Sequence, residues 1–450
     1  MKKKIKQFIH KAVSIEVLNG VLSLLVIVLI LLFSKCKRID YSVLFSLAIV
    51  LLLSGFGYLL TKLINSLLED DVKLTCNYEN LCKTYVNKKY EFKNQNDKKN
   101  KRTESDNKVL FPIILEENLL DVNIEINDEP DSMYVLPDFV QDHYDEIIKA
   151  HSSSDIYNQL NVRIKNWYMK DGLFKIDTER TTYYDSLVTN RAMDYKLECG
   201  LSVRDKLCYG PFLSSLGNSE LSNHIGFNGL LETRDHYIPI IKRKKDLSIG
   251  KRVYGLSVEG SIKTKEMLKS EKEKLDIFLL IKGIRAEYYK ELGIPRNDDD
   301  IKKFLEKIKS KKNRNILEKL KGKSIIIEPK YKPENQNPIH GICMAYRNIV
   351  EGGKPQFFTY YTSNLSKKEL KLCFKGNARA NKKNLFVDGK IIGWIKVDDI
   401  SAGNGFLVYN NKIICKVLKC ITKNRTLKMV PSSSVCFAFG VDMGLFAPVK

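Results

Sequence analysis

The chain has 450 residues, 44% hydrophobic and 28% charged, a balance that excludes an extended disordered polymer and leaves room for two or three folded units. Its 75 lysines and arginines against 53 aspartates and glutamates give a net charge of +22. That excess narrows the partners to anionic ones: lipid, nucleotide, nucleic acid or an acidic protein.

The apolar residues are concentrated at the front. Val17 to Ser34 carries no charge and is apolar on every face of a helix, and Tyr41 to Thr61 repeats the pattern. Each stretch is long enough to cross most of an apolar layer about 30 Å thick. The expectation is a two-helix transmembrane hairpin over residues 1–65, with spans about 15–34 and 41–61. A cleaved signal peptide is the alternative for the first span, given Lys2, Lys3, Lys4, Lys6 and Lys11; the length of the apolar run and the immediate second span favour the hairpin. Lysines and arginines near the span ends place both termini in the cytosol. Two spans cannot enclose a pore, so a pore would need several chains. Residues 1–65 hold nine basic and two acidic side chains, or +7, which leaves 22 − 7 = +15 for the rest.

Residues 66–108 read as a polar linker, most clearly from Asn94 to Arg102. Residues 109–220 read as an accessory α+β region, extended over 109–125 and helical within 139–160. From 221 to 450 the pattern sharpens. Phe227 to Glu232 and Tyr237 to Lys242 suggest a hairpin whose second strand, with Pro239, lies at an edge. Arg252 to Val258 reads as a strand, Lys265 to Leu292 as a long helix stopped by Gly293 and Pro295, and Ile301 to Leu320 as a lysine-rich helix. Strands are expected at 324–328, 341–347, 356–361, 385–387, 391–396 and 412–418, so the fold class is α+β. The ten cysteines form no C-x-x-C pair and the six histidines are scattered, so a structural metal cluster is not expected.

The order strand, turn, strand, strand ending Ser257-Val258-Glu259-Gly260, long helix, then Ala286-Glu287-Tyr288-Tyr289-Lys290-Glu291-Leu292-Gly293-Ile294 resembles a Nudix domain over about residues 221 to 420. In that family a helix presents R-E-U-x-E-E-x-G-U, whose carboxylates hold divalent metals over a nucleoside diphosphate linkage. Glu287 and Glu291 keep the spacing that puts two carboxylates on one helix face. Ala286 stands at the arginine position and Lys290 at the first position of the glutamate pair, where a lysine repels a cation and pairs with a glutamate instead. The expectation is a degenerate Nudix-like mixed-sheet domain that is not an enzyme. The alternative is a membrane-tethered, magnesium-dependent Nudix hydrolase, in which Glu287 and Glu291, with Glu259, hold the metal and carry catalysis. A plainer reading makes the same residues surface carboxylates ahead of a helix-stopping glycine.

Joined to the hairpin, the chain resembles the two-transmembrane Nudix-like effectors of the CBASS antiphage systems. The resemblance implies a multi-pass inner-membrane protein whose cytosolic domain binds a cyclic oligonucleotide made by a partner CD-NTase. It further implies assembly as a homo-oligomer and disruption of the membrane, ending in death or growth arrest of the infected cell. The lipid bilayer is then a partner, no resident cofactor is needed, and no DNA or RNA polymer is expected. Such a ligand asks for cations at its phosphates and an aromatic face for a base. The candidates are Lys251, Arg252, Tyr254, Arg285, Arg347 and Phe357, with Lys242, Arg243, Lys354, Tyr288 and Tyr360 beside them.

Overall fold

The structure, a computed structural model, describes residues 57, 72, 74–93, 108–151, 156–243, 253–332, 340–380, 389–401, 406–409, 412–415 and 425–446. Residues Val72–Lys450 form one unit. Its strands are β1 (Glu91–Lys93), β2 (Lys108–Leu110), β3 (Ile113–Asn118), β4 (Asn123–Met133), β5 (Leu160–Lys170), β6 (Leu173–Thr182), β7 (Gly226–Thr233), β8 (Tyr237–Arg243), β9 (Tyr254–Gly255), β10 (Val258–Ser261), β11 (Ile327–Pro329), β12 (Ile342–Asn348), β13 (Lys354–Ser363), β14 (Gly389–Lys396), β15 (Phe406–Tyr409), β16 (Lys412–Cys415) and β17 (Arg425–Lys428). Its principal helices are α1 (Tyr183–Val188), α2 (Ile277–Glu291), α3 (Asp298–Lys307), α4 (Lys367–Ala380) and α5 (Pro431–Asp442).

Strands β7, β12 and β13 are buried almost throughout, as befits strands covered on both faces. They form the middle of a six-stranded mixed sheet of order β10-β7-β13-β12-β3, with β11 also on β13. The β7/β13 pair is parallel, from Gln356 opposite Gly226 to Ser363 opposite Thr233, and the other pairs are antiparallel. Side chains alternate between the two faces. Phe227 points to α2, with its ring centroid 6.2 Å from that of Tyr288. Asn228 points the other way, toward the Ser432 carbonyl at the start of α5, and Phe358 meets Phe439 of α5 edge-on at 6.2 Å. Two apolar cores result, one on each face. Smaller sheets surround this one: β4-β6-β5, β14-β8-β9, β15-β16-β17 and β1-β2.

The α+β class expected from the sequence is the class observed. Within it, β7 and β8 follow one another without pairing, because β8 joins β14 and β9 in a separate sheet. Pro239 pairs with Trp394 on one side, while β9 reaches only Ile241 and Lys242 on the other. The proline therefore lies where a missing N–H costs no ladder bond. The long helix expected over 265–292 is broken. Residues Thr264–Met267 make one turn, and α2 starts afresh after Asp276, whose carboxylate accepts from the Leu279 N–H at 2.8 Å.

The cause of the break lies far away in sequence. Asp128 of β4 and Arg180 of β6 form a buried two-point pair, with Nη1 2.7 Å from Oδ1 and Nη2 2.9 Å from Oδ2. Arg180 also donates to the carbonyls of Glu271 and Glu273, and Asp128 accepts from the Leu275 N–H at 2.7 Å. The segment before α2 is thus hydrogen-bonded to side chains of another sheet and cannot continue as helix.

The transmembrane hairpin is corrected. Its two spans, about 15–34 and 41–61, lie outside the described residues, and among the described residues no helix is long and apolar enough to cross a membrane. The longest described helix, α2, has 15 residues, about 22 Å where about 20 residues are needed. Helix α5 is buried from Pro431 to Gly440 but has only 12 residues, which makes it a core helix. The multi-pass inner-membrane placement and the bilayer as partner are likewise not supported.

Burial works against the Asp128 charge, but the bonds from Arg180, Leu275 and Thr178 outweigh it and hold the carboxyl below the ordinary aspartate value. Its contribution is present above the unfolded value of about 3.9 and is lost as the pH falls through the lower folded one. Asp128→Ala, which leaves Arg180 buried without its carboxylate, is expected to lower the unfolding free energy by about 3–5 kcal/mol at pH 7. The gap from wild type should narrow in acid. Urea unfolding followed by tryptophan fluorescence at several pH values reads both effects.

Candidate functional site

Helix α2 buries Ile277, Leu280, Gly283, Ile284, Glu287, Tyr288 and Glu291, a stripe at helical spacing that carries two carboxylates inward with the apolar residues. Two glycines allow its close approach. A Cβ on Gly283 would stand 2.3 Å from Met267 Cγ, and one on Gly229 would stand 2.1 Å from the Tyr288 hydroxyl. That hydroxyl donates to the Leu230 carbonyl at 3.1 Å. At the C-terminal end, Lys290 Nζ lies 2.6 and 2.7 Å from the two oxygens of Glu287. Burial works against the Lys290 charge, and Glu287 and Glu291 outweigh it, holding the ammonium above the ordinary lysine value. Glu259 belongs elsewhere: its carboxylate takes Arg243 Nη1 at 2.7 Å, the Leu256 N–H at 2.8 Å and the Ser433 hydroxyl. It sits on the α5 face of β10, opposite Asn228, while α2 covers the other face. Among the described residues no group of three or more His, Cys, Asp or Glu is arranged to hold a metal ion.

The expected ligand contacts are dispersed. Lys251 and Arg252 lie outside the described residues. Tyr254 is half-buried on β9, with Lys242 Nζ 6.0 Å from its ring centroid. Arg285 is half-buried on α2. Arg347 is buried and holds the chain together, donating from Nε to the Gly353 carbonyl at 3.0 Å and from Nη2 to that of Ser214 at 2.6 Å. Phe357 is core, 5.8 Å from the Trp167 ring.

A different cluster gathers around the N-terminal end of β7, on its α5 face. Register places its members side by side: Ser261 opposite Gly226, Gln356 opposite Gly226, and Lys354 two residues before Gln356, level with His224. An isolated bridge sets Asn161 opposite Lys263, two residues after Ser261. Directly opposed residues share a face, so Asn161, His224, Ser261, Lys354 and Gln356 converge. Gly226 makes room, since a Cβ there would lie 3.4 Å from Lys354 Nζ and 3.3 Å from Gln356 Cγ. Glu351 arrives from the turn joining β12 to β13, in which Gly352 and Gly353 adopt positive φ of 69° and 82°.

This cluster is buried and polar. Glu351 Oε1 accepts from Asn348 at 3.0 Å and from Gln356 at 3.5 Å, and its Oε2 faces Lys354 Nζ at 3.4 Å. His224 contacts the Ser261 hydroxyl through Nε2. Both amide atoms of Asn161, His224 Nδ1, Glu351 Oε2 and Gln356 Oε1 are buried and make no hydrogen bond. Burial first, then the positive charges of Lys354 and Arg191, push His224 well below its ordinary value and keep the imidazole neutral. Burial also pulls Lys354 down to about 8, against the attraction of Glu351. Of this group, sequence reading singled out Lys354 alone. The others carry no motif and come from separate stretches of chain, joined only by strand register.

In comparisons with known proteins, no family model matches the chain and no curated protein matches it. The expected membership of the CBASS two-transmembrane Nudix-like effectors is corrected on the fold, because among the described residues no helix is long and apolar enough to cross a membrane. So is the reading as a membrane-disrupting effector triggered by a CD-NTase product, since no membrane-crossing helix stands among the described residues.

Between pH 8 and the unfolded lysine value of about 10.4 the unfolded chain binds a proton at Lys354 that the folded chain does not, so folding stability rises with pH across that window. Relative to Lys354→Met, the wild-type chain is expected to gain up to about 3 kcal/mol between pH 7 and pH 10. Paired urea titrations in phosphate-free buffer measure it.

Proposed function

We propose that the chain is a metal-independent binding protein for a small phosphate-bearing ligand, and that α2 carries no hydrolytic activity. The observation that supports this is Lys290, whose ammonium spans both oxygens of Glu287 at 2.6 and 2.7 Å. A divalent cation brought to about 4 Å from that ammonium meets a repulsion on the order of several kcal/mol. To bind at Glu287 and Glu291 it would have to displace the lysine and leave the ammonium half-buried without its partner. The +15 carried by residues 66–450, from 22 − 7, supports an anionic ligand, and the polar cluster at the end of β7 supplies buried donors for one.

The full chain incubated with nucleoside diphosphate compounds and magnesium is expected to give no turnover, and chelation of metals is expected to leave ligand binding unchanged. Magnesium-dependent product release that disappears in Glu291→Gln would overturn the proposal. Lys290→Met, which strips the buried Glu287 of its partner, is expected to cost about 3 kcal/mol of stability, read by urea unfolding.

A further inference from the structure

The other described ion pairs with both side chains less than 20% exposed close to between 2.6 and 2.9 Å: Arg163–Glu179, Arg180–Asp128, Arg204–Asp194, Arg243–Glu259, Lys290–Glu287 and Lys330–Glu232; Arg347–Glu116, with the glutamate 30% exposed, stands at 3.9 Å. Glu351–Lys354 is as deeply buried, at 4% and 3% side-chain exposure, yet stands open at 3.4 Å. Around this open pair lie the unpartnered atoms of Asn161, His224 and Gln356, from residues 0%, 0% and 7% exposed. Buried polar atoms without partners cost free energy each, so a cluster of them marks a place built to be filled.

We propose that Lys354, Asn161, His224, Glu351 and Gln356 form a binding site for a phosphate group that carries a hydrogen, either inorganic hydrogen phosphate or the end of a phosphate monoester. Donors and acceptors are both on offer. Lys354 Nζ and the Asn161 amide donate. His224 donates from Nδ1 when Nε2 accepts the Ser261 hydroxyl proton, a tautomer that the Ser261 contact permits. Glu351 Oε2 and Gln356 Oε1 accept only. Gln356 cannot turn its amide around without setting its oxygen against Glu351 Oε1, to which its nitrogen now donates.

This mixture selects among oxyanions. At neutral pH free hydrogen phosphate accepts through its bare oxygens and also donates one P–OH to Glu351, whereas a phosphate monoester, with a second pKa of about 6, does so only in its singly protonated minority form. Sulfate and phosphodiesters accept only, and would set a bare oxygen against a buried carboxylate. Ser261, half-buried where the other five are buried, forms the rim. The inference rests on the reading of the chain as a binding protein and gives its ligand a class and a place.

Calorimetric titration of the full chain at fixed ionic strength, with inorganic phosphate, methyl phosphate, sulfate, dimethyl phosphate and a cyclic dinucleotide, tests it. Inorganic phosphate is expected to bind at least about tenfold more tightly than sulfate or either diester. Binding of methyl phosphate as well assigns the site to monoester ends; its failure assigns the site to the free ion. Glu351→Gln, which supplies an N–H where the carboxylate stood, is expected to bring phosphate and sulfate to about equal affinity, and Lys354→Met to weaken both by at least about tenfold. Should Lys354→Met fail to fold by circular dichroism, Asn161→Leu replaces it with the same expectation. No phosphate binding, as when water alone fills the cluster, overturns the inference. So does equal affinity for phosphate and sulfate in the wild-type chain, or a preference unchanged in Glu351→Gln. Nucleotide turnover by α2 would overturn the metal-independent binding role while leaving these titrations as they are, so the two failures are distinguishable.

Discussion

Charge carried into an apolar interior is the constraint around which this unit is built. An ion stripped of water costs several kcal/mol unless a partner and further hydrogen bonds replace the solvent. The Asp128–Arg180 pair meets that demand in full. Its carboxylate takes bonds from Arg180, Thr178 and the Leu275 N–H, and its guanidinium reaches two carbonyls of the segment before α2. The consequence is architectural. Satisfying this pair ties the β4-β6-β5 sheet to the point where α2 begins, and α2 in turn covers one face of the central sheet.

Alternation along β7 then divides the chemistry. Phe227 and Gly229 face α2, where the glycine admits the Tyr288 hydroxyl and the helix lies close against the strand. His224, Gly226 and Asn228 face the other way, where a second glycine leaves space for the ends of Lys354 and Gln356. One strand therefore separates the carboxylate pair of α2 from the polar cluster, and no side chain of that strand serves both. The parallel neighbour β13 fixes the level of Lys354 against His224 through an uninterrupted ladder from Gln356 to Ser363. A slip of one residue in this pairing would turn Lys354 and Gln356 to the α2 face and disperse the cluster.

Much of the framework was legible in the sequence because it is local. The apolar runs at 341–347 and 356–361 announce β12 and β13, and Gly293 marks the end of α2 with a positive φ of 63°. The break before α2 was not legible, since the bond that imposes it joins Leu275 to Asp128 across 147 positions. The same limit governed the site. Arginine and aromatic residues near the expected cleft pointed to ligand contacts by residue type, but Arg347 is engaged by backbone carbonyls and Phe357 by Trp167. Lys354 stood out by type, while its neighbours Asn161, His224 and Ser261 are brought to it by strand register, which no single sequence displays.

Two Glu–Lys pairs three residues apart show how far backbone geometry decides what identical side chains do. On α2, Glu287 and Lys290 sit one helical turn apart, and the ammonium closes on both carboxylate oxygens. Both oxygens of that carboxylate are engaged by the ammonium. Across the turn from β12 to β13, Glu351 and Lys354 are separated by two glycines in the left-handed region, and the same pair of residues is held at 3.4 Å. Gln356 and Asn348 fasten one carboxylate oxygen and keep it from rotating toward the lysine. The other oxygen faces the ammonium at 3.4 Å, longer than the contacts Lys290 makes with Glu287. One pair is closed and the other open, and the difference is set by a helix in one case and by Gly352 and Gly353 in the other.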